Sequence, residues 1–182
     1  MPRLGTLLFI STLFVLPQSG VADTIANVRE VVNTATHMPP GAAGLPVHQD
    51  DKLVANEQVE TQAESSVQMT FVDGSELRVE ESSKIVLDNY VYDPSKQASN
   101  GLVKLGAGLF RFTSNGQNDE GVILKTSAAT IGIRGTDIVV SVKPNGSTVV
   151  DVLEGKVFIK PAGAGAGADV VAGQSGMVTD GN

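Results

Sequence analysis

The segment from Thr126 to Ile159 constrains the fold more than any other part of this chain. It reads TSAATIGIRGTDIVVSV, then a turn KPNGS, then TVVDVLEGKVFI. Apolar residues alternate along both halves, which is typical of strands with one buried face, so the halves are predicted to pair as a hairpin. Gly132 and Gly135 interrupt the first half. Glycine in a strand costs backbone entropy and removes packing, so these positions predict a bulge, a bend or close approach by another segment.

Arg134 stands between those two glycines. Ala129, Ile131 and Ile133 share one face of the predicted strand, which places Arg134 on the opposite face. Its guanidinium either binds a carboxylate or loop carbonyls and locks a corner of the fold, or donates to a partner or an anionic ligand. We favour the structural role. Asp137, Asp151 and Glu154 are candidates for that carboxylate.

Size and charge limit the possible partners. The chain has 182 residues, enough for one domain that buries a hydrophobic core without needing crosslinks. Its 20 acidic and 13 basic residues give a net charge of −7. Nucleic acid and anionic membrane surfaces would be repelled, so neither is expected as a partner. There is no Cys, hence no disulfide, and stability has to come from apolar burial and backbone pairing.

The first 22 residues resemble a secretory signal peptide. Arg3 precedes an apolar run from Leu4 to Leu16, and small residues lead up to a cleavage site after Ala22. A membrane-spanning helix needs about 20 apolar residues, and Pro17 ends this run earlier. We therefore expect a periplasmic or secreted protein with no membrane span after cleavage. A retained membrane anchor is the alternative.

The rest of the chain predicts strands and no long amphipathic helix. Apolar alternation on both sides of Asp73-Gly74 predicts a hairpin, and at least nine short strand candidates are separated by Gly, Asp, Asn and Ser turns. The class is all-β, and periodicity leaves sandwich, barrel and solenoid open. We predict N-terminal strands and a Pro/Gly linker in residues 23–66, and the main β domain in residues 67–182. Residues 88–101 are predicted to be a long polar loop.

No metal, cofactor or catalytic motif stands out. His37 and His48 are the only histidines, and a zinc site usually needs three or four His, Cys or carboxylate ligands, so we expect two solvated histidines and no metal. The sequence from Gly173 to Gly176 lacks the spacing of a nucleophile elbow. Acidic residues are too abundant for a carboxylate pair to be informative. We expect a protein without enzymatic activity and without a cofactor.

The central segment, with VVAGQSG after it, resembles the FecR protein domain of bacterial envelope proteins. Upstream, MTFVDGSELRVEE is similar to that family's Phe-x-Asp-Gly-Ser-x-Leu segment. The resemblance implies a compact stack of short strands, β-solenoid-like, with a β-sandwich or jelly roll as the alternative. The residues that match the family pattern, to which we assign a structural role, are Thr126, Ala129, Gly132, Ile133, Arg134, Gly135, Thr136, Gly155, Gly173 and Gln174.

The best-known FecR proteins are transmembrane regulators that control a sigma factor through a cytoplasmic N-terminal domain. Only three residues precede the apolar run here, so sigma-factor regulation by this chain alone is not expected. We expect an exported binding module in envelope sensing or assembly, with another envelope protein or a glycan as partner and the oligomeric state left open. The alternatives are a structural or adhesive protein that assembles through strand edges, and a glycan-active protein.

The candidate interaction surface combines an aromatic segment with the central arginine. Tyr supplies rigid, amphipathic contact area, which favours it at interfaces. We therefore assign the surface to Tyr90, Tyr92, Asp93 and Arg134. The alternative is that both Tyr rings pack onto the flank of the fold.

Overall fold

The computed structural model describes residues 23–116, 121–163 and 165–179, and every regular element in these ranges is a strand. The all-β class is therefore confirmed. No helix in these ranges could cross a membrane. The predicted signal peptide lies outside the described residues. The strands are β1 (Thr24–Val32), β2 (Ala35–Met38), β3 (Leu45–Pro46), β4 (Lys52–Val54), β5 (Glu57–Thr61), β6 (Ser66–Phe71), β7 (Glu76–Val79), β8 (Lys84–Asp93), β9 (Ala98–Leu105), β10 (Gly108–Thr113), β11 (Gly121–Lys125), β12 (Ala129–Val142), β13 (Thr148–Pro161), β14 (Ala168–Val171) and β15 (Ser175–Val178).

These strands form one curled, half-barrel sheet. Its order is β3-β2-β5-β8-β9-β11-β12-β10-β7-β6-β1-β4, and β13 adds to the other edge of β12. The short strands β14 and β15 both pair with β13. Neighbours are antiparallel except β9 and β11. Solenoid-like stacking remains a prediction.

The predicted hairpin is present as β12 and β13, and it joins the two halves of the sheet. The first part of β12 pairs with β11, and the part after the glycines pairs with β10. The register shifts between Arg134 and Ile138, where Gly135 has a φ of 60°. Gly155 lies opposite, with a φ of 77°, and a Cβ there would stand 2.0 Å from the Gly135 carbonyl oxygen. The bulge expected at Gly135 is thus confirmed, and Gly135 and Gly155 require glycine. The same expectation is wrong for Gly132, which lies in regular pairing between Ile123 and Phe158.

The core fills the inside of the curled sheet. Alternate side chains of both halves point inward, and fully buried examples come from β10 (Phe110, Phe112), β11 (Leu124) and β12 (Ile131, Ile133). Burying one such side chain stabilises the fold by roughly 1.5–3 kcal/mol. Because side chains from both halves meet in one cluster, the core fixes the curvature of the sheet.

The N-terminal strands belong to the same sheet as the later ones. The first two of them, β1 and β2, are separated by a break at Asn33, whose φ is 57°. Strand β1 pairs with β6, and β5 pairs with β8. No break in strand pairing therefore falls at the predicted boundary between residues 66 and 67.

The prediction of a long polar loop over residues 88–101 is wrong. Strands β8 and β9 form a hairpin through this segment, with Tyr90 opposite Gly101 and Tyr92 opposite Ser99. Only residues 94–97 form the turn. This polar segment forms strands because β8 pairs with β9 and the Tyr90 ring packs into the core. Its tertiary environment therefore outweighs its local polarity.

Candidate functional site

Arg134 is exposed on the outer face of β12, while Ile131 and Ile133 are buried on the inner face, as predicted. The expected ion pair is absent: the Arg134 side chain makes no hydrogen bond or salt bridge to any residue the structure describes. Asp137 is bound instead by Arg111, with Nε donating to Oδ1 at 3.0 Å and Nη2 to Oδ2 at 2.6 Å. The bidentate contact exists near the bulge, but sequence reasoning assigned it to the wrong arginine.

Other residues of the family pattern stabilise turns of the backbone. The Thr126 hydroxyl oxygen accepts the Ala129 N–H at 2.9 Å and so fixes the turn that leads into β12. Gly173, with a φ of 80°, turns the chain between β14 and β15. The Gln174 side-chain oxygen accepts the Val171 N–H across that turn at 3.3 Å. These contacts are structural ones.

Tyr90 is part of the interior, and its assignment to an interaction surface is wrong. Its ring is 3% exposed and stacks on Phe71, with centroids 4.2 Å apart. Its hydroxyl donates to Asp73 Oδ2 at 2.7 Å. Asp73 also accepts the N–H of Ser75 at 2.8 Å and the hydroxyl of Ser99 at 2.5 Å. The Asp-Gly-Ser turn thus anchors the β8–β9 hairpin, a role that sequence reasoning missed.

The remaining residues of the predicted surface do not lie together. Tyr92 is half-buried on β8, and Asp93 accepts the Ser95 N–H at 3.0 Å and its hydroxyl at 2.6 Å. The Ser95 hydroxyl, followed by Lys96, lowers the pKa of Asp93. Arg134 lies on β12, three strand steps from β8, which is about 14 Å. Asp93 and Arg134 therefore lie on separate parts of the sheet, and an interaction surface that includes both remains a prediction.

The two histidines differ in environment. The His48 side chain is 72% exposed. The His37 side chain is only 11% exposed, and its Nδ1 lies 2.5 Å from Oε1 of Glu57, a buried carboxylate. Expecting both to be solvated was wrong for His37, because β2 pairs with β5 and brings the ring against Glu57. No set of three His, Asp or Glu side chains in the described ranges is arranged to hold a metal ion.

A polar groove of about 590 Å³ lies on the outer face of β6, β7 and β10. Arg78 and Arg111 stand directly opposite each other there, an arrangement that would be destabilising if both charges were uncompensated. Arg78 Nε donates to Glu80 at 2.8 Å, and Arg111 turns the other way to Asp137. The two guanidinium groups therefore splay apart and leave the hollow between them. The groove is lined by Gln68, Glu76, Arg78, Glu80, Arg111, Thr113 and Asp137.

Two smaller hollows adjoin this groove. One of about 430 Å³ shares Glu80 with it, and one of about 320 Å³ shares Thr113 and Asp137. We call the three together the acidic trench. Its ionisable lining residues are Glu64, Glu76, Arg78, Glu80, Glu81, Arg111, Asp137 and Glu154.

Sequence reasoning missed the trench although the signal was present. Charged side chains along β7 are typical of an edge strand that is protected against strand addition. Strand β7 is not at an edge, because it lies between β6 and β10. In the interior of a sheet, outward charges on neighbouring strands form a common face. Glu76, Thr113, Asp137 and Glu154 are aligned across four strands in this way.

Asp137 and Arg111 form a charged pair within the trench. Hydrogen bonds from Arg111, reinforced by its charge, lower the pKa of Asp137, and Asp137 in turn raises the pKa of Arg111. A catalytic carboxylic acid of the glycosidase type needs a raised pKa. The pKa of Asp137 is shifted in the opposite direction, and its carboxylate already accepts three hydrogen bonds, two from Arg111 and one from the Thr113 hydroxyl.

The curled sheet, the glycine bulge and the Asp-Gly-Ser anchor together define an all-β domain. The family model described as FecR protein matches residues 57–158. The chain belongs to the FecR family, as its central segment indicated. A comparison with curated proteins gives no significant match.

Solved structures share the fold. Two crystal structures of a proposed anti-sigma factor from Parabacteroides distasonis ATCC 8503, at 1.65 and 2.50 Å resolution, align with a TM-score of 0.54 and 20% identity. The alignments cover 69% of this chain and 56% or 55% of those chains. At this identity the likeness shows the fold alone.

Proposed function

We propose that this protein is a non-enzymatic interaction module of the FecR type that works in envelope sensing or assembly. The observation that carries the proposal is the family match over residues 57–158, which includes the bulge segment and the strands that form the trench. FecR proteins are regulatory, and the solved neighbours are described as anti-sigma factors. The module acts by binding a partner.

The arrangement of charges supports binding over catalysis. Glu80 and Asp137 are each held by an arginine, at 2.8 and 2.6 Å. A nucleophile or general base has to be available to a substrate, whereas these carboxylates are committed to neighbouring side chains. Their fixed positions suit them to present a preorganised charged surface.

Export is part of this proposal. The apolar run that ends at Pro17 and the small residues before Ala22 direct the chain out of the cytoplasm, and cleavage there releases residues 23–182 into the periplasm or beyond. The partner is then another envelope protein, with a glycan as the alternative. N-terminal sequencing of the protein from the envelope fraction tests the cleavage: a first residue of Asp23 is expected, and an intact Met1 would contradict it.

The test of the interaction function is chemical crosslinking in intact cells, followed by affinity capture of the tagged mature protein and mass spectrometry. We expect one envelope protein to be enriched and to rebind when purified. A Tyr90→Ala variant serves as a control, because loss of a ring that is 3% exposed disrupts the fold and abolishes specific capture. Turnover of a glycan by the purified protein would contradict the proposal.

Assembly through strand edges is the second candidate, and one observation favours it. Strand β15 carries no charged side chain, and its Met177 is 71% exposed. Native sheets usually protect edges with charge, proline or short length. Strand β15 has only four residues, and its lack of charge is the feature that favours strand addition. Size-exclusion chromatography with light scattering decides: a concentration-dependent dimer supports this candidate, and a monomer at all concentrations excludes it.

A further inference from the structure

We propose that the acidic trench binds an extended, lysine- or arginine-rich segment of the partner protein. This inference rests on the proposed interaction function and adds to it a site and the chemistry of the occupant. Two features carry it: the uncompensated charge of the trench and its length.

The trench holds an excess of negative charge. Six carboxylates and two guanidinium groups line it, and both guanidinium groups are bound by trench carboxylates, Glu80 and Asp137. The other four carboxylates have no cationic partner among the residues the structure describes. A cationic segment would supply the missing charges, whereas acidic ligands would be repelled. The four unpaired residues are Glu64, Glu76, Glu81 and Glu154.

Each arm of the trench is long enough for a short extended chain. One arm follows β7 from Glu76 and continues past the end of the strand to Glu81, a distance of at most about 17 Å at roughly 3.4 Å per residue. The other arm crosses β10 and β12 from Glu76 to Glu154, three strand steps or about 14 Å. Each arm accommodates about four or five extended residues.

The charged lining disfavours a mainly apolar occupant. Leu109 is the one large apolar side chain among the described lining residues, and it is 42% exposed. Drug-like ligands and amphipathic helices would remove water from the unpaired carboxylates without supplying a counter-charge. A neutral saccharide could also use polar side chains, but it would leave the excess charge unmatched.

The test measures binding of fluorescein-labelled decalysine to residues 23–182 by fluorescence anisotropy between 20 and 300 mM salt. The trench variant is the triple Glu76→Gln, Glu81→Gln, Glu154→Gln, at three exposed positions. The control is the triple Asp23→Asn, Asp50→Asn, Asp169→Asn, also at exposed positions but away from the trench. Both triples remove three negative charges.

We expect the trench triple to raise the Kd at least tenfold and to flatten its salt dependence, and the control triple to change the Kd less than threefold. Melting temperatures of both triples should stay close to that of the wild type, since all substituted side chains are exposed. Equal weakening by the two triples would mean diffuse attraction and would overturn the proposal. So would absence of decalysine binding at 20 mM salt, or displacement of decalysine by maltohexaose.

The two proposals fail separately. If the cellular partner still rebinds to the trench triple with wild-type affinity, the trench is not the site, although the interaction function stands. If the wild type captures no partner at all, the interaction function fails whatever the decalysine result.

Discussion

The Tyr90→Phe variant tests whether the Asp-Gly-Ser anchor holds the β8–β9 hairpin. The change keeps the ring stacked on Phe71 and removes only the hydroxyl that donates to Asp73 at 2.7 Å. A hydrogen bond to a charged group contributes roughly 1.5–3 kcal/mol, and Asp73 keeps its contacts to Ser75 and Ser99. We expect a loss of about 2 kcal/mol, which lowers the Tm by roughly 4–8 °C for a chain of this size.

The assay is urea unfolding of residues 23–182 monitored by circular dichroism, with thermal melts in parallel. A lower midpoint at an unchanged m-value indicates lost stability without a change in the surface exposed on unfolding. Tyr92→Phe is the matched control on the same strand. Tyr92 is half-buried and its hydroxyl bonds to no residue that the structure describes, so the change should cost less than about 0.5 kcal/mol.

The reasoning would be refuted if Tyr90→Phe and Tyr92→Phe had equal midpoints. Unchanged stability of Tyr90→Phe together with weaker partner binding would restore Tyr90 to the interaction surface on which the sequence placed it.

The remaining predictions concern the bulge and the trench. Gly155→Ala should destabilise by at least about 2 kcal/mol, because its Cβ would stand 2.0 Å from a carbonyl oxygen and its φ is 77°. Gly132→Ala, whose Cβ would meet its nearest atom at 3.8 Å, should cost less than about 1 kcal/mol in the same melts. Arg111→Ala should lower the free energy of unfolding by about 1 kcal/mol, since it leaves Asp137 without its arginine, whereas Arg134→Ala should change it by less than about 0.5 kcal/mol. A larger loss for Arg134→Ala than for Arg111→Ala in urea unfolding would contradict Arg111 as the partner of Asp137. The pKa of Asp137 is lowered in the folded state, so its ionised form contributes to the free energy of unfolding above about pH 4, and that contribution is lost as the pH falls through the folded pKa. Asp137→Asn should therefore make the free energy of unfolding depend less on pH between about pH 5 and 3.

The parts of the fold that could be predicted are those in which local pattern and tertiary structure agree. Alternation from Val67 to Val79 around Asp73-Gly74 identifies a hairpin because turn chemistry and the buried face point to the same register. Gly135 likewise indicates the bulge, since a positive φ in a strand favours glycine and a local break in register.

The parts that could not be predicted depend on which strands become neighbours. Arg134 and Arg111 are equivalent as donors, and only the pairing of β10 with β12 decides that Arg111 reaches Asp137. The Tyr90 hydroxyl finds its acceptor 17 positions away in sequence, across the sheet. The trench arises in the same way, because its charges come from strands that are distant in sequence.

Site-specific photo-crosslinking tests the central claim most directly. A benzoylphenylalanine placed at Thr113 lies in the trench, one at Val91 on the β8–β9 hairpin, and one at Met177 on the β15 edge. Each protein is first checked for a native melting curve and then irradiated in intact cells. We predict one dominant crosslinked envelope protein from Thr113 and none from the other two positions. Crosslinking to that same protein from Val91 or Met177, with none from Thr113, would contradict the account.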